Sequence, residues 1–561
     1  MSYFAYRALT PYLPSIWLVR LHPRATHAPS MTSAARQPSE MPQPSVACTI
    51  FHVSLDHPLP YFALSYTWGD VHQKGCILVH GSPFYVTKSL ETALIHLTPD
   101  DAPLTLWIDA LCIDQNDEVE KAEQVRKMHR IYSHATSVIT WLGPATETSD
   151  AAMSWIQCYG SLAHNLGIGT KPELQFRPLL QAFQSNPSKL PHKGFEEFLR
   201  GISNQLSPPR SGGADNVVTA LYELFTRSYW SRIWVVQELT YGKCVRVVCG
   251  KMSVSEELLH HSLKLLRNFA YYEHIKLGQS PLPIKLDLGS AALGLRNPID
   301  ILKTRRATGP FLLIYLIRTF RYFEATDPRD RIFALLSFAE DAAALGIKPD
   351  YQKSCREVYV ETTRSLISKC FFDILSLCQV HNNIPELPSW VPDFASISQR
   401  VPLQQRAMDR KAVPLTTGFL DSGSAVFEPD DLKDVWRTAV ADQEISQGDQ
   451  KPRLSRKELD KVHELLKGLD LSAVDEKVLV ALGLGDYTYQ LQDVARGRRP
   501  FSTENGHIGI GPDDMELGDL LYILIGAQVP YTLRPNTHGR LHLVGEVYAN
   551  GIMDGEYMDD E

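Results

Sequence analysis

Three short blocks in the first half of the chain each join an apolar run to polar groups that a hydrophobic core alone would not need. They read Ala63-Leu64-Ser65-Tyr66-Thr67-Trp68-Gly69-Asp70, then Leu106-Trp107-Ile108-Asp109-Ala110-Leu111-Cys112-Ile113-Asp114-Gln115, then Trp230-Ser231-Arg232-Ile233-Trp234-Val235-Val236-Gln237-Glu238-Leu239. Strand-like and helical runs alternate around them. Phe62 to Tyr66 reads as a strand, and Ile77 to Val79 and Phe84 to Val86 flank a turn at His80-Gly81-Ser82-Pro83. Val86 to Leu97 places Leu90, Ala93, Leu94 and Leu97 on one helical face. Leu104 to Ile108 is a buried strand. A helix follows from Asp117, where Asp117 and Glu120 have capping-box spacing and Val125, Met128, Tyr132 and Ala135 form an apolar stripe. Val138 to Leu142, stopped by Gly143-Pro144, and Val245 to Cys249, closed by Gly250, are two more strands. Strands alternating with helices predict a parallel α/β sheet.

The flanking segments set the predicted organisation. Residues 1–49 hold a strand, Ile16 to Leu21, and a Pro/Ser/Ala/Thr-rich stretch over 22–47 with one acidic residue, Glu40, read as a flexible surface insertion. Residues 50–250 form the α/β domain. Its long insertion at 144–229 has helices near 150–165 and 217–228 and a loop over 184–216. Residues 251–395 read as helical, with Ser354 and Glu357 opening one helix by capping-box spacing. Residues 396–505 are irregular and polar, with a helix near 455–468. Residues 506–561 form a C-terminal antiparallel β module, with short strands at Leu520 to Ile525, Tyr531 to Leu533, Arg540 to Val544 and Glu546 to Tyr548.

Bulk properties exclude several classes. A chain of 561 residues, 44% hydrophobic and 21% charged, has the composition of a globular protein with a large core. Its net charge of -8 argues against a nucleic-acid binder that neutralises phosphates. The nine scattered cysteines form no C-x-x-C pair, which fits reduced thiols and a cytoplasmic location. The most apolar run, Phe311 to Ile317, is closed by Arg318 and is too short to span a bilayer, so no membrane-spanning segment is expected. HExxH and paired CxxC patterns are absent and the histidines are scattered, so no metal site is read; GxxxxGK[ST] and GxSxG are absent too.

Within the blocks, a buried strand delivers Asp109 to the loop where α/β sheets place ligands. Asp114 and Gln115 read first as loop-fixing groups, and Cys112 as a small buried thiol. Trp230, Arg232, Trp234 and Glu238 cluster in the third block, with Trp234 and Glu238 on one helical face. They suit either of two roles: stacking a ring, holding a phosphate and supplying a carboxylate, or filling a core with Arg232 and Glu238 bridging to other elements.

In type, order and spacing the three blocks resemble the HET (heterokaryon incompatibility) domain of filamentous fungi. The resemblance continues through Asp327-Pro328-Arg329-Asp330-Arg331, Leu387-Pro388-Ser389-Trp390-Val391-Pro392-Asp393 and Gly545-Glu546-Val547-Tyr548. It implies non-self recognition and regulated cell death, with a protein partner and a homo-oligomer as expected associations. HET domains are in turn similar to TIR domains, flavodoxin-like folds of which some cleave NAD. Ser65-Tyr66 and Gly69-Asp70 match the TIR first-strand pattern, and Trp234-Val235-Val236-Gln237-Glu238-Leu239 resembles the helix that supplies the catalytic glutamate, with Val235 in place of a cysteine. The resemblance therefore implies a TIR/flavodoxin-like parallel sheet and Glu238 as catalytic carboxylate. Ser65, Trp68, Asp109, Arg232 and Trp234 would line the binding site; NAD would be a substrate and no cofactor is required. The alternative is a non-enzymatic interaction or regulatory protein, for example accessory to a fungal biosynthetic gene cluster.

Overall fold

The computed structural model describes residues 15–24, 45–168, 193–206, 217–277, 288–307, 311–378, 383–396, 419–421, 497–524 and 527–553, with isolated positions between these stretches. The chain divides into two units. The first takes Met1–Ala270, Pro281–Gly309 and Pro349–Gln352, and the second takes Tyr271–Ser280, Pro310–Lys348 and Lys353–Glu561.

Nine strands build the first unit: β1 (Ser15–Leu21), β2 (Ala47–Ser54), β3 (Phe62–Tyr66), β4 (Lys74–Val79), β5 (Ser82–Thr87), β6 (Leu104–Trp107), β7 (Ser137–Trp141), β8 (Val245–Cys249) and β9 (Met252–Ser255). They form one sheet in the order β5-β4-β2-β1-β6-β3-β7-β8-β9. Its centre, β6-β3-β7-β8, is parallel as expected. Every residue of β7 is buried, as in a strand covered on both faces. β1 runs antiparallel to both neighbours, β2 and β6, while β5 and β9 fold back antiparallel at the edges. The sheet is thus mixed around a parallel core.

Local chemistry explains the boundaries. His80 and Gly81 both take positive φ (50° and 79°), so the β4–β5 turn twists with its strands. Helix α1 (Lys88–Leu97) starts where Thr87 accepts the Leu90 amide. Helix α2 (Glu118–His134) starts where Asp117 accepts from Val119 and Glu120, at 2.9 and 3.1 Å. The expected capping box is not closed, because the Glu120 side chain accepts the Asp114 amide instead. Helices α3 (Ser149–Asn165), α4 (Lys193–Leu206), α5 (Val217–Phe225), α6 (Val235–Tyr241), α7 (Glu256–Leu277) and α8 (Leu288–Arg306) follow.

Two departures matter. β2 was not anticipated: it pairs with β1 from Ser15↔Ser54 to Leu21↔Cys48, so the stretch over 22–47 connects a hairpin, although residues 25–44 lie outside the described residues. Helix α4 falls inside the expected loop at 184–216 and buries Phe195, Phe198, Leu199, Ile202 and Leu206.

In the second unit the apolar run begun at Phe311 becomes α9 (Leu313–Thr319), with Leu313, Ile314, Leu316 and Ile317 buried. Among the described residues no helix is long and apolar enough to cross a membrane. Ser354 and Glu357 close a reciprocal capping box on α10 (Cys355–Ser368). The β module holds β10 (Phe419–Asp421), β11 (Arg498–Ser502), β12 (Ile508–Pro512), β13 (Leu520–Tyr522), β14 (Tyr531–Pro535), β15 (Leu541–Glu546) and β16 (Tyr548–Ala549). They form antiparallel sheets β10-β13-β14-β15 and β11-β12-β16 around Met515, Leu521, Val544, Val547, Ala549 and Ile552. β11 extends into the segment read as irregular, and the helix expected near 455–468 lies outside the described residues.

Candidate functional site

The C-terminal ends of β3 and β6, and the segment leading into α6, bring most of the candidate residues together. Ser65 on β3 is the lateral partner of Thr140 on β7. Both hydroxyls meet Tyr229, whose phenol oxygen lies 2.5 Å from Ser65 Oγ and 3.4 Å from Thr140 Oγ1. Ser65 in turn donates to Glu238 Oε2. Ser65 thus links the Tyr229 hydroxyl to Glu238, a hydroxyl relay ending on a carboxylate that is 1% exposed.

A half-buried rim lies beside this buried floor. Trp68 Nε1 donates to Asp109 Oδ2 at 2.6 Å, and the Ala110 amide donates to Asp109 Oδ1 at 2.8 Å. Gly69 permits the turn that sets Trp68: its φ is +72°, and a Cβ there would sit 2.9 Å from the Ser89 Cβ. Arg232 donates to the Tyr66 carbonyl at the end of β3. Trp234 is the N-cap residue of α6, and its carbonyl accepts the Glu238 amide at 3.2 Å. The other end of α6 is held by Arg305 from α8, which donates to the carbonyls of Leu239, Thr240 and Gly242 at 2.6, 3.2 and 2.5 Å.

The electrostatics follow from burial. Burial is the largest influence on Glu238 and raises its carboxyl. Arg232 pulls it down, Asp109 raises it further, and the Ser65 and Tyr132 hydroxyls lower it, leaving it at about 7. Asp109 is also held above the ordinary carboxylate range, by burial first, against Arg232 and the Trp68 and Ala110 donors. Burial works against the Arg232 charge, but Glu238 and Asp109 outweigh it and keep the guanidinium protonated. The Tyr66 hydroxyl is buried near Asp109 without a hydrogen bond of good geometry.

Ser65, Trp68, Asp109, Arg232, Trp234 and Glu238 thus lie around one corner of the sheet. Other block residues do structural work. Gln115 donates to the Asp109 and Ile113 carbonyls, Asp114 accepts the Asn116 amide, and Trp230 is buried with its Nε1 on the Leu224 carbonyl. Burial pushes the Cys112 thiol up, and its sulfur accepts the Ile108 amide. Sequence reasoning assigned no site role to Tyr66, Tyr132, Thr140, Tyr229 or Arg305. The only local hint was a hydroxyl inside an otherwise apolar strand, at Ser65 and Thr140.

Two family models match stretches of the chain. Residues 61–238 match that of the heterokaryon incompatibility protein (HET) and residues 473–561 that of the Het-6 β-barrel domain. The chain is thus similar to heterokaryon incompatibility proteins over a HET domain and a C-terminal β-barrel domain. Heterokaryon incompatibility protein 6, OR allele, of Neurospora crassa is 26% identical over 642 residues, covering 91% of this chain and 92% of that one. No solved structure matches the chain.

Proposed function

We propose that this protein acts in heterokaryon incompatibility, triggering regulated cell death after engaging a protein partner in the cytoplasm, and that its HET domain acts by TIR-like cleavage of NAD. The observation that carries the chemical part is the placement of Glu238, a buried carboxylate that titrates near neutrality at the end of a hydroxyl relay and beside Arg232. In this reading the bond between nicotinamide N1 and ribose C1′ breaks and its electron pair leaves with nicotinamide. The Glu238 carboxylate stabilises the oxocarbenium-like ribose, and water adds at C1′ while releasing a proton. Arg232 would hold the pyrophosphate, and Trp68 or Trp234 would stack on a ring. At 1% exposure Glu238 is reached only after the site opens, and assembly into a homo-oligomer would supply that opening.

The same 1% exposure favours a second reading, in which the cluster fastens the sheet to α6 and the protein works by binding alone. Measuring NAD loss and its products on expressing the wild type beside Glu238→Ala separates the two. Nicotinamide release that falls at least about 100-fold in the variant supports the catalytic reading. Cell death from both proteins with NAD unchanged overturns it and leaves the binding reading.

A further inference from the structure

Far from the blocks in sequence, α3 and α7 of the first unit cross at a fixed point. A Cβ on Gly160 would lie 2.5 Å from the Leu258 carbonyl oxygen, so the two backbones approach as closely there as only glycine allows. Ser262 Oγ adds a hydrogen bond to the Ile156 carbonyl at 3.2 Å. One turn beyond Gly160, α3 carries His164. Glu257 and His261, four apart on α7, share the face that meets it. His164 Nδ1 lies 3.4 Å from His261 Nε2 and 3.6 Å from Glu257 Oε1, and the three atoms all fall within 4.8 Å of one another.

We propose that His164, Glu257 and His261 bind one divalent transition-metal ion of the zinc class. Bonds of about 2.0–2.1 Å in a tetrahedral zinc site put ligand atoms roughly 3.3–3.4 Å apart, which the two measured separations nearly meet without an ion. Two imidazoles and one carboxylate suit zinc, nickel or copper(II) over magnesium or calcium. His164 and Glu257 are exposed, which leaves a route for the ion and a fourth position for water. The set escapes motif reading because His164 lies 97 residues before His261 and no HExxH is formed. The site would clip the end of α3 to the start of α7, independently of any chemistry at Glu238.

The test uses the full chain, titrated with zinc chloride against a chromogenic chelator, and then with cobalt(II) by absorption. We expect one ion per chain, a visible cobalt spectrum without a thiolate charge-transfer band, and at least tenfold weaker binding in His164→Ala and His261→Ala alike. Glu257→Gln should weaken binding less, and His260→Ala, a neighbour outside the donor set, should leave it unchanged. The wild type and His260→Ala should gain thermal stability on adding zinc, and His164→Ala and His261→Ala should gain less. Absence of binding, binding untouched by both histidine substitutions, or a thiolate spectrum from the nine cysteines would each overturn the proposal.

Discussion

Two buried glutamates, one in each unit, show how differently a protein can keep a carboxylate out of water. Glu546 on β15 is 3% exposed and meets a cation directly: Arg498 Nη2 lies 2.7 Å from Oε1, and the Leu403 amide donates to the same oxygen at 2.7 Å. Glu238 is just as buried, yet its hydrogen bonds come from neutral hydroxyls, Ser65 and Tyr132, and Arg232 acts on it through charge without a direct hydrogen bond among those described. Desolvation costs an ionised group several kcal/mol, and a contacting guanidinium offsets that far better than a hydroxyl does. The first arrangement locks a charge in place. The second raises the Glu238 carboxyl to about 7.

The largest test of this contrast removes the cation. Arg498→Met should cost about 3–5 kcal/mol in chemical denaturation, because it strands a buried charge. Glu238→Gln should cost under about 1 kcal/mol at pH 6, where the wild-type group is mostly protonated. Equal losses would end the comparison. A second test follows pH. Because folding raises the Glu238 pKa from 4.5 to about 7, its contribution to stability is fully present below pH 4.5 and is lost as pH rises through 7. Relative to wild type, Glu238→Gln should therefore gain on the order of 3 kcal/mol between pH 4 and pH 8, at 1.36 kcal/mol per pKa unit. A flat difference would mean an unperturbed carboxyl. Third, Arg305→Ala removes four carbonyl contacts at and beyond the end of α6 together with an ion pair to Glu256, and should cost about 2 kcal/mol. Amide exchange should speed up at residues 238–241 and not in β15. Smallest, Ser65→Ala removes one of the two hydroxyl donors that favour ionised Glu238. It should move the pH midpoint of the second experiment upward by about one unit, or about 1.4 kcal/mol.

Local pattern was enough for β3, β6, β7 and α2, whose apolar spacing is dense and whose ends carry Asp117 or Gly143-Pro144. It failed for β2, where Thr49 and His52 interrupt the apolar residues beside a Pro/Ser-rich stretch, and for β11 and β12, where Pro500, Gly509, Gly511 and Pro512 argue against strands. Helix α4 was hidden differently: Phe195, Phe198, Leu199, Ile202 and Leu206 have helical spacing, but the flanking Pro, Ser and Gly suggested a loop. The site lay beyond local reading altogether. Ser65 is separated from Glu238 by 173 residues and from Tyr229 by 164, so no spacing rule connects them. The family resemblance named Ser65 and Glu238, while Tyr229 and Thr140 emerge only from strand register and packing.

The position of β1 bears on how the HET domain can be cut for experiments. The family match begins at residue 61, whereas β1 and β2 lie upstream of it and occupy the sheet between β4 and β6. A fragment starting at Tyr61 would lose both strands at once and strip the partner from Leu104, Thr105 and Leu106 on β6 and from Leu78 and Val79 on β4. Two bare edges of apolar strand would then be open to pairing between molecules, the usual route to insoluble protein. A HET fragment meant to remain monomeric in the tube has to start upstream of Ser15.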